Sequence, residues 1–300
     1  MERNLKLDYF KMILSLLVIT VHSQPLFDEG SLTGWLISNG IARIAVPCFF
    51  IISGYYIHRK LEGIKHLKRY LLHLLVVYIT WSLIYFPVYY SSIEPRSLIT
   101  FALMGYYHLW FLPALILAII LLALGRKFLK EDKLILYSGI ILFLIGYLME
   151  NSNFPYRTFC NGLFFGYPLV SLGYFIYRKN ITFKIKNQLL YPILVISTLF
   201  LLLESFLGYK EDVYHNLFIS FYFISPALVI WALNSNKRSK ANTYVSQLAA
   251  GIYYVHIFVL TLIIPLTETF NINKFPFIAF VSILLAIFIT FINKRIKIFL

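Results

Sequence analysis

Apolar residues run in long blocks broken by short polar clusters, and the pattern predicts ten membrane-spanning helices. They fall at about Leu7–Leu26, Asn39–Ile57, Tyr70–Tyr90, His108–Gly125, Leu134–Glu150, Phe159–Tyr177, Leu189–Gly208, Asn216–Leu233, Leu248–Thr267 and Phe275–Asn293. The expected fold class is an all-α polytopic membrane bundle. Helices and connections use nearly the whole chain, so residues 1–300 read as one membrane domain with no separate soluble domain. The segment from about Tyr90 to Tyr107 reads as an interfacial helix on the outer face. No internal repeat is visible.

The first block breaks the apolar rule on one face. Lys11 and His22 are eleven residues apart, about 20° around a helix and roughly 16 Å along it, with Asp8 and Ser15 near the same stripe. Ionisable groups at bilayer depth cost several kcal/mol unless they face a polar interior. The stripe is therefore a candidate chemical seam, although Asp8 and Lys11 are also spaced to pair at i, i+3. The block lacks a small-residue cleavage site and is expected to stay as helix one.

Composition agrees: 60% of residues are hydrophobic, 13% are charged, and the mean hydropathy is +0.76, outside the range of water-soluble domains. The net charge of +14 raises the question of nucleic acid. Its carriers, however, form short clusters in alternate connections, such as Arg59 to Arg69, Arg126 to Lys133, Arg178 to Lys186 and Lys294 to Lys297. That is the signature of cytoplasmic loops, placing both termini in the cytoplasm and giving no nucleic-acid partner. Cys48 and Cys160 read as buried small hydrophobes, with neither metal nor disulfide expected.

This topology places His22, Arg43, His108 and Arg157 at similar depth near the outer face. For His108 and Arg157 an interface-anchoring role is an equal alternative. Helix two reads Arg43-Ile-Ala-Val-Pro-Cys-Phe-Phe-Ile-Ile-Ser-Gly-Tyr, where Pro47 frees a carbonyl near Arg43 and Ser53-Gly54 permits close helix approach. Helix four opens His108-Leu-Trp-Phe, of which an aromatic belt explains Trp110 and Phe111 but not His108. Helix nine contains Ser246, Tyr253 and His256, with His256 near mid-membrane, where it reads first as a hydrogen-bonded structural histidine. Glu204 and Glu268 are candidate structural partners for Arg43 or Arg157.

These motifs, in this order, resemble acyltransferase family 3, the integral-membrane O-acyltransferases of bacterial envelope glycans. Asp8, Lys11 and His22 match its Asp-x-x-Arg/Lys-x10-His motif, and Phe49, Phe50, Ser53, Gly54 and Tyr55 match its second-helix motif. His108-Leu-Trp-Phe and the segment Ser246, Tyr253, His256 match two more. The chain departs from the family at Lys11, where arginine is common, and at Pro47-Cys48, where many members carry aspartate. It also lacks the esterase-like domain of some peptidoglycan-modifying members.

The resemblance implies transfer of an acyl group, usually acetyl from cytosolic acetyl-CoA, to a hydroxyl of an extracytoplasmic or lipid-linked glycan, in a multi-pass protein of the bacterial cytoplasmic (inner) membrane. In that scheme Lys11, with Asp8, Ser15, Lys68 and Arg69, receives the acyl-CoA. His22 is the general base or acyl carrier. Arg43, with His108 or Arg157, stabilises the oxyanion. The competing expectation is a transporter or exporter of envelope glycan intermediates, using the same seam as a proton or substrate path.

Overall fold

The computed structural model describes residues 3–90, 100, 104–234, 238–239, 243–270 and 274–300. Most of the expected interfacial helix before Tyr107, and the side chain of Glu268, lie outside what is described. Among the described residues the regular structure is helical apart from a two-residue antiparallel ladder of Arg3–Asn4 on Arg238–Ser239.

The principal helices are α1 (Leu5–His22), α2 (Leu32–Leu61), α3 (Ile64–Tyr89), α4 (Tyr107–Phe128), α5 (Asp132–Asn151), α6 (Tyr167–Arg178), α7 (Asn187–Glu211), α8 (Phe221–Leu233), α9 (Tyr244–Phe270) and α10 (Lys274–Asn293). Among the described residues, seven helical runs are long and apolar enough to cross a membrane. The other three fall short on length or charge: α1 has 18 residues and carries Lys6, Asp8 and Lys11, α6 has 12 residues, and α8 has 13.

The boundaries depart from the apolar pattern for identifiable reasons. Helix α3 begins at Ile64, so the basic cluster at Lys65, Lys68 and Arg69 is exposed on its first turns and is not a loop. Expected helix six is broken: a turn at Tyr156–Phe159, then a π-turn at Gly162–Gly166, then α6. Expected helix eight starts late, because Glu150 takes the N–H groups of Asn216 and Leu217 at 2.7 and 2.8 Å in place of a helical turn.

The chain forms two compact units. The first comprises Met1–Val46, Val195–His215 and Trp231–Leu300. Its central helix is α9, of whose apolar window 61% is buried, against 22% for α10. Helix α10 packs on α9 where Gly251 meets Ala286; a Cβ at Gly251 would lie 2.9 Å from the alanine methyl. At the start of α1, Asn4 accepts from the Leu7 N–H and donates to the last carbonyls of α8, at Ala232 and Leu233 (3.1 and 2.9 Å). Lys6 donates to Trp231 O at 2.6 Å, so a cation meets the negative end of α8.

The second unit comprises Pro47–Leu194 and Asn216–Ile230. Its interior is aromatic. Phe50 is fully buried, with ring centroids of Phe111, Phe165 and Trp110 at 4.6, 5.8 and 6.2 Å. Trp110 and Phe111 are half-buried, each with one side packed on Phe50. Cys48 and Cys160 are buried thiols. Helices α2 and α6 touch backbone to backbone: a Cβ on Gly54 would collide with the Val170 carbonyl, and one on Gly173 with the Ile51 carbonyl. Small residues are the usual means of such contact where lipid gives no hydrophobic drive.

Gly54→Ala is expected to destabilise the folded protein by about 1–3 kcal/mol through overpacking. Gly63→Ala, whose Cβ would make only a 3.4 Å contact with the His66 side chain, serves as the comparison. Thermal unfolding in detergent reads the difference, and equal midpoints for the two variants would refute the contact.

Candidate functional site

The polar stripe of α1 faces α9. Lys11 Nζ lies 3.7 Å from the Asp8 carboxylate, the i, i+3 pair its spacing allowed, and 3.5 Å from Ser246 Oγ. Ser15 Oγ lies 2.8 Å from Ala249 O and 3.1 Å from Lys11 O. The His22 and His256 rings are 5.4 Å apart with planes inclined by 31°. Contacts climb both helices together, from 11 with 246 to 22 with 256, so α1 and α9 run parallel. The seam they share is about 15 Å long at 1.5 Å per residue.

Burial alternates along it. Asp8, Ser15 and His256 are buried, whereas Lys11 and His22 keep part of their surface accessible. His256 Nδ1 lies 2.6 Å from the Tyr253 carbonyl. A carbonyl only accepts, so Nδ1 carries hydrogen and Nε2 of the neutral ring is an acceptor. The structure makes His256 both the hydrogen-bonded histidine that the sequence predicts and the neighbour of His22.

Arg43 reaches the same place from α2. The start of that helix is irregular: a π-turn at Leu36–Gly40, a 3₁₀ turn at Ile41–Ile44, and regular α-helix from Ala45. Pro47 therefore stands in the first turn of the regular segment, where its missing N–H is tolerated. The change of helix type lies just ahead of the proline. This geometry sets Arg43 Nη2 3.1 Å from Asn39 Oδ1, which also accepts from Gln24 Nε2 at 3.0 Å. Arg43 is within electrostatic reach of His22.

Gln24 and Asn39 were not singled out by sequence. The available signal was polar residues just after His22 and one turn before Arg43. Both line a cavity of about 350 Å³ with Trp35, Tyr209, Asp28 and Glu29.

The remaining candidates lie in the second unit. His108 is buried and meets Tyr85 edge-on, with ring centroids 5.1 Å apart. Arg157 lines a second cavity of about 530 Å³, with Tyr106, Trp110 and Asn161. Lys68 and Arg69 are exposed on α3. His22, Arg43, Lys11, Asp8 and Ser15 thus share one unit, and His108, Arg157, Lys68 and Arg69 the other.

A family model described as an acyltransferase domain matches residues 4–292. An amino-acid racemase of Enterococcus faecalis is 25% identical, over 94% of this chain and 45% of its own length. A serine/alanine racemase of Enterococcus gallinarum is 26% identical, over 85% of this chain and 40% of its own. The chain therefore spans less than half the length of these curated relatives. No solved structure gives a significant match. The apolar helices, the seam of α1 and α9 and a family match over almost every residue lead to one assignment: the chain belongs to acyltransferase family 3, a family of membrane acyltransferases.

Proposed function

We propose that this protein is an O-acyltransferase that moves an acyl group, most simply acetyl, from cytosolic acyl-CoA to a hydroxyl of an extracytoplasmic or lipid-linked glycan. In this reading the ten principal helices all cross the bacterial cytoplasmic membrane and both termini are cytoplasmic, as the basic clusters favour. The observation that carries the proposal is the α1–α9 seam. It has a cation at one end, an imidazole pair at the other, and Arg43 within electrostatic reach of the imidazole.

Lys11 sits where the anionic phosphates of acyl-CoA would enter from the cytosol, and an ammonium suits them as a point charge. Asp8 holds that ammonium and Ser15 ties α1 to α9. At the far end His22 takes the proton of the acceptor hydroxyl. The hydroxyl oxygen attacks the thioester carbonyl, Arg43 stabilises the oxyanion, and the carbon–sulfur bond breaks as the CoA thiolate takes a proton back from the imidazolium. An acyl-imidazole on His22 is the two-step form of the same chemistry. His256, packed against His22, is a positioning residue. The racemase activity named for the two relatives is not carried over, because more than half of each lies outside the matched stretch.

Two outcomes are expected with purified protein in lipid, labelled acetyl-CoA and a pool of envelope glycans. His22→Ala loses transfer by about 10²- to 10⁴-fold, the scale of a lost general base, while still accumulating in the membrane. Wild-type transfer in that variant would remove His22 from the mechanism, and indifference of the wild type to any acyl-CoA would turn the reading toward transport. Lys11→Met raises KM for acyl-CoA by about ten-fold, the scale of a charge-assisted hydrogen bond, and Lys11→Arg restores it. An unchanged KM in Lys11→Met would place donor binding elsewhere.

A further inference from the structure

We propose that the cavity of about 350 Å³ in the first unit is the acceptor pocket, and that it takes a sugar ring bearing no net negative charge. This rests on the acyltransferase reading, because it names the acceptor for the His22–Arg43 end of the seam.

Contiguity comes first. Asn39 is only 2% exposed, yet it lines the cavity and holds Gln24 and Arg43 through one amide oxygen. Gln24 also lines the cavity and follows His22 by two residues. The Asn39 amide therefore joins the cavity wall to Arg43 directly.

The wall has the chemistry of a sugar platform. Trp35 is held by its indole N–H, which donates to Ser205 O at 2.9 Å. Tyr214 and Tyr209 pack on it, with ring centroids at 4.6 and 5.7 Å. Tyr209 also donates to Gly30 O at 2.8 Å, pinning the loop that carries the cavity's acids. Fixed aromatic faces beside amide and hydroxyl groups suit a ring that is apolar on its faces and polar at its edge. The volume is that of a small-ligand site.

Charge sets the selectivity. In a chain of net charge +14, this cavity is lined by two exposed carboxylates, Asp28 and Glu29, and no lysine or arginine. An anion bound among them would be disfavoured by about three-fold per carboxylate at low salt, roughly ten-fold for the two. The same charges keep the CoA phosphates out of this end of the seam. A neutral or amine-bearing ring meets no such penalty.

The test is equilibrium binding to the full chain in nanodiscs at low salt, followed by saturation-transfer NMR, with three probes of one ring: methyl N-acetylglucosaminide, methyl glucosaminide and methyl glucuronide. The first two are expected to bind and the glucuronide to bind about ten-fold more weakly. The double variant Asp28→Asn with Glu29→Gln, at exposed positions that leave the fold intact, closes that gap, and Trp35→Ala weakens all three probes. Equal binding of the glucuronide by wild type, no binding of any probe, or a Trp35→Ala chain that binds like wild type would overturn the pocket. Binding is read without turnover, so a chain that binds the sugars yet consumes no acyl-CoA counts against the transferase and leaves the pocket standing.

Discussion

The first unit is organised around hiding the charge of α1 from hydrocarbon. Asp8, Lys11, Ser15 and His22 line one stripe of a single helix, and an uncovered stripe of that kind costs several kcal/mol in a bilayer. Covering it requires a partner with polar groups in matching register, and α9 supplies Ser246, the carbonyl of Ala249 and His256. The Ala249 carbonyl can accept from Ser15 while serving its own helix, because a carbonyl has two lone pairs. Register then fixes direction: only parallel helices put 11 against 246 and 22 against 256. The burial of α9, against the more exposed α10, follows from that duty.

Chemistry at the outer end depends on a second constraint, the irregular start of α2. A regular helix through 36–44 would continue the α rotation at Asn39 and Arg43. The π-turn and 3₁₀ turn reset that rotation, and Pro47 marks where regular helix resumes. Close approach of α7 holds the irregular stretch in place: a Cβ on Gly40 would stand 3.0 Å from Ser205 Oγ, and Trp35 bonds the Ser205 carbonyl. The arginine is oriented by neighbours as much as by its own helix.

Much of this was legible in the residues. The polar stripe of α1 follows from spacing alone, and the family motifs named His256 and Gly54 as positions that matter. What those two residues do was not legible. Gly54 proved to be a backbone contact with Val170, and His256 proved to be the ring beside His22, because both depend on which helix lies opposite. Asn39 and Gln24 escaped notice since an amide near a helix end has many ordinary explanations. Hydropathy also merged residues 159–177 into one helix, for it weighs apolarity and cannot register a π-turn. Lys68 and Arg69, assigned to a loop because they are charged, are helical because charge does not stop a helix.

The two cavities described lie against the same local device. In the first unit Asn39-Gly40 closes a π-turn, and the Asn39 amide holds the Arg43 guanidinium. In the second unit Asn161-Gly162 opens one: the Asn161 oxygen caps Leu163 and Phe164, and its nitrogen donates to the carbonyls of Arg157 and Thr158. Non-helical backbone inside a membrane is tolerated where protein covers it or where it lines a cavity, and π-turns gather at functional positions. Glycine allows the turn to pack closely; a Cβ on Gly162 would lie 2.6 Å from Ala114 O. Asparagine satisfies the polar groups that the turn releases and, in doing so, fixes an arginine or its backbone beside the opening. An Asn-Gly pair at the edge of an apolar block, with an arginine four residues away on either side, is therefore the sequence sign of such an opening in this chain.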